Sequence, residues 1–541
     1  MIRISLGLIL ALLCPAYAGS QLAGNSDVDR PEAGVAARDR AKTNPPSLIV
    51  LITVDQLRGD YLTRFGSQLK SGLGRFARGG AWFTNAHHDH AITETAPGHA
   101  TLLSGRFPRS TGIADNLGGV EDAASPLLGG ASGPSASPVR FQGTTLVDWL
   151  RARDSTSRTL SVSMKDRGAI LPVGRSRADV YWYSLDGRFT TSRYYRESLP
   201  EWVNRFNARR LPQSFAGKSW SPLLPDSAYP EVDGEALETA GVDFVFPHVM
   251  PADTVAAASQ VRVTPWMDDI TLALALDGVQ ALSLGQGTRT DVLAISLSAT
   301  DLIGHAFGPD SKEIHDQILR LDQSMGAFVD SLFKMRDSLR ITFALTSDHG
   351  VGPIPEIAGR AMRPGPHRVD LSVPATSLQA RLLALGIAPG AIAIGPRTVR
   401  IDRVARANKE QSIDAALAAF ANEVRAVPGV ARVDRFRDLL DRDTLTDPVA
   451  RRWSHQFPDT SNVELVVTLT PFSIPGNLVA THGSPLDYDT HVPIIFYGPQ
   501  FRAGRYSQLV RTVDLAPTLA EVTGVAPSEK LDGVALKQAI R

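Results

Sequence analysis

The chain has 541 residues, 56 Lys and Arg against 56 Asp and Glu, a formal net charge of 0 and 43% hydrophobic residues. This balance supports a large buried core and excludes an intrinsically disordered protein. No basic run of five or more residues supports electrostatic binding of nucleic acid or a membrane surface, so neither partner is expected. Length alone is compatible with several domains, but large α/β enzymes often carry extra residues as insertions, and one elaborated catalytic domain over residues 47–541 is expected.

At the N-terminus, Met1, Ile2 and Arg3 precede an apolar run over 4–13, and Ala16 and Ala18 stand where signal peptidase requires small residues. Residues 1–18 therefore read as a signal peptide, which predicts a periplasmic or secreted protein. The apolar run is shorter than the roughly 20 residues a bilayer needs, so no stable membrane anchor is expected. Bulky Leu13 argues against lipidation of Cys14. Cleavage after Ala18 removes the only cysteine, leaving Asp, Glu, His and hydroxyl groups as the available metal ligands. Residues 19–46, rich in small and polar side chains, read as a flexible lead-in.

Four apolar runs, at 48–54, 292–297, 341–346 and 492–497, predict strands buried on both faces. Helical stretches separate them, which favours a central, mainly parallel sheet flanked by helices. In one such stretch Ile318, Leu321, Met325, Phe328 and Leu332 step by three and four, with Asp310 and Glu313 at capping spacing. Two segments, about 160–270 and about 356–480, interrupt the pattern and read as inserted subdomains. The second has a strand-helix-strand rhythm at 399–401, 413–424 and 430–436.

The first three runs each lead to an aspartate within a few residues: Asp55, Asp301 and Asp348. Ligands of open α/β sheets bind beyond the carboxyl ends of the strands. Asp301 and His305 are four apart around Gly304, expected at a strand end. Asp348 is followed by His349, and His482 precedes the last run. Six oxygen and nitrogen donors at one rim suit two zinc-like ions. The denser cluster His87, His88, Asp89 and His90 is not expected to bind an ion, because neighbours on an extended chain point to opposite faces. His99 is expected to support the ligands from behind rather than join them.

Residues 93–105 read as a turn feeding a helix, with Thr95 at or just before the cap and Pro97 in the first turn. Taken alone, this is a capped helix whose N-terminus can hold an anion. Thr95-Ala-Pro-Gly-His99, Asp301-x-x-Gly-His305, Ser347-Asp-His-Gly350 and Thr481-His-Gly483 stand in the order seen in the alkaline phosphatase superfamily. Within it the chain resembles the periplasmic phosphate-irrepressible alkaline phosphatases with a threonine nucleophile, relatives of the nucleotide pyrophosphatases/phosphodiesterases.

The resemblance implies an alkaline phosphatase-like fold and two Zn2+ ions. Asp301, His305 and His482 would hold one, and Asp55, Asp348 and His349 the other, which also contacts Thr95. His491 is a competing histidine, but the Thr-His-Gly context favours His482. Residues 112–116 resemble the turn whose asparagine, here Asn116, donates to a phosphoryl oxygen. Residues 163–168 resemble the Lys-x-Arg element, here Lys165 and Arg167, that recognises a monoester dianion. Read without the surrounding Gly-Ala-Ile-Leu-Pro context, Lys165 and Arg167 are better taken as a solvated surface pair; that context favours the functional role. Asn116, Lys165, Arg167 and the Ala96 N–H would clamp the phosphoryl oxygens. The implied activity is a phosphomonoesterase that forms a covalent phosphothreonine and releases inorganic phosphate from small phosphate monoesters. The alternative is a phosphodiesterase or nucleotide pyrophosphatase on the same metals. Oligomeric state is not legible in the sequence.

Overall fold

A computed structural model describes residues 44–541. The signal peptide expected at 1–18 and most of the lead-in expected at 19–46 lie outside the described residues. Among the described residues no helix is long and apolar enough to cross a membrane.

A ten-stranded sheet organises the chain. Its middle is five parallel strands in the order Ile341–Thr346, Leu48–Val54, Asp291–Leu297, Thr159–Ser163 and Asp179–Ser184. Every residue of Leu48–Val54 is buried. Leu48, Val50, Ile52 and Val54 face one apolar cluster while Ile49 and Leu51 face another. That alternation explains the predominantly apolar run: both faces of the strand are covered, and Thr53 is its one polar residue. The run at 492–497 forms the strand His491–Tyr497, which is antiparallel to both its neighbours, Ile341–Thr346 and Ala81–His87. The sheet is thus mainly parallel, with the last expected strand running backwards.

The segment expected as an insertion at about 160–270 contributes three strands, Thr159–Ser163, Asp179–Ser184 and Arg188–Thr190, to the sheet itself. Its decoration of the sheet therefore begins later than expected. The 356–480 segment holds a separate four-stranded antiparallel sheet of Ile392–Ile394, Thr398–Ile401, Val463–Leu469 and Val430–Arg435. Helices Ser372–Ala384 and Glu410–Arg425 cover it, closing an apolar cluster around Leu378, Leu417, Phe420 and Val467.

The long helix runs from Lys312 to Met335. Its cap is Ser311, whose Oγ accepts the Ile314 N–H at 3.2 Å, and not Asp310. The Asp310 carboxylate is instead taken by Arg58 at 3.1 Å and Arg64 at 2.6 Å, and Glu313 pairs with His248 at 3.1 Å.

Candidate active site

The five parallel strands end at one edge, and the site is built there. Asp55 directly follows Leu48–Val54, Asp348 and His349 follow Ile341–Thr346, and Lys165 follows Thr159–Ser163. Asp301 lies just past the end of Asp291–Leu297, as expected, in the first turn of a helix, Ala299–Phe307, that the sequence did not predict. The helix sets Asp301 and His305 one turn apart on one face, with His305 Nε2 3.3 Å from Asp301 Oδ1.

The donors fall into two groups, Asp301, His305 and His482, and Asp55, Asp348 and His349, each with its ligand atoms within 4.8 Å of one another. In every histidine a carbonyl fixes the tautomer. His305 Nδ1 donates to Ala480 O at 2.8 Å, His482 Nδ1 to Thr93 O at 2.7 Å and His349 Nδ1 to Gly350 O at 3.0 Å. Each Nε2 therefore keeps its lone pair for a cation. Asp55 Oδ1, Asp348 Oδ2 and His349 Nε2 are buried without a hydrogen-bond partner. Buried polar atoms of this kind are costly unless something binds them. With only carboxylate and imidazole donors, the two groups fit divalent cations of the zinc type.

The electrostatics agree. Burial, then repulsion from Asp301 and Asp348, pushes the Asp55 carboxyl well above its ordinary range. Burial would do the same to Asp301, but Lys165 and His305 overcome it and hold that carboxyl well below. Asp348 is likewise held below the usual range against its burial, by His349 and His99. Burial keeps the His349 imidazole neutral, the form that ligates metal.

Lys165 stands between the groups. Its Nζ lies 2.6 Å from Asp55 Oδ2 and 2.6 Å from Asp301 Oδ2, one carboxylate from each. It also donates to Thr95 Oγ1 at 3.4 Å. Burial disfavours its charge, yet Asp301 and Asp55 together hold the ammonium above its ordinary pKa. Arg167 sits on the short helix Asp166–Ile170, part-exposed, with Asp166 3.6 Å away.

Thr95 begins the helix Thr95–Leu102, every residue of which is buried, and Glu94 is its cap residue. Pro97 lies in the first turn, where a missing N–H costs nothing. Gly98 lets the helix approach the strand end: a Cβ there would lie 2.2 Å from Asp348 O. His99 sits behind the ligands: its Nδ1 donates to Thr95 O at 2.9 Å while lying 3.2 Å from Asp348 Oδ2, and its Nε2 lies 2.9 Å from Ser296 Oγ. The Ala96 N–H, expected from sequence to hold a phosphoryl oxygen, instead donates to Asn116 Oδ1 at 2.9 Å. That bond orients the Asn116 amide and leaves its NH2 as the remaining donor.

The rejected histidines lie apart from both groups. His88 spans Ser347 O and Thr512 Oγ1, His87 stacks on His491 at 4.9 Å, and His491 Nε2 donates to Thr84 O at 2.9 Å. Sequence reasoning missed Gln56. Held at φ 65°, it donates from Nε2 to Asp301 Oδ1 at 2.9 Å and from its N–H to Asp348 Oδ1 at 3.1 Å, tying one ligand of each group together. Its position beside Asp55 was the only signal. A cleft of about 620 Å3 opens from Asn116, His305 and His482 toward Asp370, Leu371 and Arg397 of the inserted subdomain.

Residues 49–419 match the type I phosphodiesterase / nucleotide pyrophosphatase family. The chain is 31% identical to alkaline phosphatase PhoK of a Sphingomonas species, over 92% of each chain. It is 29% identical to alkaline phosphatase PafA of Elizabethkingia meningoseptica, over 89% of this chain and 92% of that one. The crystal structure of wild-type PafA superposes with a TM-score of 0.83 at 27% identity, covering 92% of this chain and 99% of that one. Murine ectonucleotide pyrophosphatase / phosphodiesterase 5, at 14% identity and a TM-score of 0.52, shares the fold. With the two donor groups at the strand ends, these likenesses identify the chain as a phosphoesterase of the type I phosphodiesterase / nucleotide pyrophosphatase family, within the alkaline phosphatase superfamily.

Proposed function

We propose that the chain is an exported phosphomonoesterase in which Thr95 attacks phosphorus, with two zinc ions held by Asp301, His305 and His482 and by Asp55, Asp348 and His349. The observation that carries this reading is the buried Lys165 ammonium 3.4 Å from the Thr95 hydroxyl, beside both donor groups. Bound divalent cations would supply positive charge that lowers the pKa of a nearby hydroxyl and neutralises phosphoryl oxygens.

Thr95 Oγ forms a bond to phosphorus as the ester oxygen departs in line, leaving a phosphothreonine and an alcohol. The threonine proton passes to solvent and the departing alkoxide takes one up. Water then cleaves the phosphothreonine, releasing inorganic phosphate and restoring the hydroxyl. The Asn116 NH2 and the Lys165 ammonium bind phosphoryl oxygens, and Arg167 supplies further charge from the adjacent helix. A monoester dianion has an additional charged oxygen for this Lys-Arg pair, whereas a diester carries an organic group there. Support also comes from a PafA variant whose crystal structure carries substitutions at a threonine, an asparagine, a lysine and an arginine. The separations of the first two and of the last two match those of Thr95, Asn116, Lys165 and Arg167 here.

The family match to phosphodiesterases favours a second reading, diester hydrolysis on the same residues. Rates on an aryl phosphate monoester and an aryl phosphate diester, with and without Lys165→Ala, separate the two. A loss confined to the monoester supports monoesterase activity, and a wild-type preference for the diester overturns it. Export is tested separately by N-terminal sequencing of the mature protein, expected to begin at Gly19.

A further inference from the structure

Two arginines of the inserted four-stranded sheet reach out of it, each to the residue immediately before a proposed site residue. Arg397 lies in the turn between the strands Ile392–Ile394 and Thr398–Ile401, and Arg400 lies on the second strand. Arg397 donates from Nη1 to Glu94 Oε1 at 3.1 Å and from Nη2 to the His482 carbonyl at 2.7 Å. Glu94 precedes Thr95, and its other carboxylate oxygen accepts the Asn116 N–H at 2.9 Å. Arg400 donates from Nη2 to Asp115 Oδ2 at 2.8 Å. Asp115 precedes Asn116, and its Oδ1 accepts the Gly118 N–H at 2.8 Å. The chain of contacts closes where Asn116 Oδ1 accepts the Ala96 N–H, next to Thr95.

The loop needs such links. Leu117 is 83% exposed, so its side chain gives Asn116 no apolar anchor. Gly483, at φ +103°, leaves the notch that Arg397 fills: a Cβ there would lie 2.5 Å from Arg397 Nη2. Charge-assisted bonds in partly shielded surroundings fix direction as well as distance, and phosphoryl transfer depends steeply on both.

We infer that Arg397 and Arg400 are positioning residues through which the inserted subdomain orients Thr95 and Asn116 for phosphoryl transfer. The inference rests on the roles of Thr95 and Asn116 proposed above.

The test is a double-mutant cycle on the full, zinc-replete chain with an aryl phosphate as probe. Arg400→Ala is expected to lower kcat/KM about 10-fold in the native background and less than about twofold when Asn116 is already alanine, because residues acting through one group are non-additive. Arg400→Lys should recover part of the loss, and bound zinc, measured by elemental analysis, should stay constant. If Arg400→Ala does not fold, Asp115→Asn removes the charge from the same link on the other side, with the same non-additivity expected. Equal losses in both backgrounds, or no loss from either variant, overturn the inference. An Asn116→Ala enzyme of unchanged kcat/KM overturns the underlying reading instead, so the two failures are distinguishable.

Discussion

The Lys165 ammonium lies 3.4 Å from the Thr95 hydroxyl, at the start of a helix buried along its whole length. On the proposed reading, removing it deletes a charge-assisted contact to the additional oxygen of a dianionic substrate. Lys165→Ala is expected to lower kcat/KM for a monoester roughly 10- to 150-fold, the equivalent of ~1.5–3 kcal/mol, and to leave a diester rate nearly unchanged. Steady-state kinetics on both substrates check this.

Of the two histidines, His482 stands in one of the two donor groups and His491 in neither. His482→Asn is expected to reduce zinc from two ions per chain to one. His491→Asn, which disturbs the contact to Thr84 O and the stacking on His87, should leave both ions in place. Elemental analysis after dialysis reads the difference directly.

Gly98 permits the close contact between the Thr95 helix and the Asp348 backbone. Gly98→Ala places a methyl 2.2 Å from Asp348 O, and relief requires the helix to move away. Overpacking of this kind costs about 1–3 kcal/mol of stability. The displacement should lower kcat about 100-fold, since an error of ~1 Å at the reacting atom has that effect. A folded variant with near-native kcat would refute the contact's importance.

Asp268 gives a pH prediction outside the ligand groups. Burial raises its pKa to about 7, although bonds from the Ala299 N–H and Gln317 oppose the rise. The unfolded chain loses this proton near the ordinary value of 3.8. Between those values the folded protein holds the extra proton, so the contribution of Asp268 to stability falls as pH rises and levels off above about 7. Asp268→Asn removes the penalty, and Gln317 Oε1, buried without a partner, can accept from the new amide. The variant should gain ~1–3 kcal/mol over wild type at pH ~8 and much less at pH ~4. Thermal melts of the metal-free chain at both pH values test it, and an equal offset at both contradicts it.

Asp268 also shows why part of the site was not legible in the sequence. The central strands were readable because burial on both faces leaves continuous apolar runs, and their ends marked Asp55 and Asp348. The helix holding Asp301 was not, because Ser298 makes no side-chain cap and the Ala299 N–H is satisfied by Asp268, a residue remote in sequence. The reversed direction of His491–Tyr497 was equally hidden, since a doubly buried strand has the same composition in either direction. Gln56, Arg397 and Arg400 escaped notice for a related reason: their partners lie far along the chain, so no local spacing marks them. Asp310 misled because its capping spacing was sound, but Arg58 and Arg64 claim its carboxylate.

The central claim is that Thr95 becomes covalently phosphorylated during turnover. Rapid acid quench of the zinc-replete enzyme with an aryl phosphate, followed by peptide mass spectrometry, should find one phosphate, on Thr95, and Thr95→Ala should abolish it while still binding both zinc ions. Phosphate trapped on a different residue, or undiminished turnover by Thr95→Ala, would contradict the account.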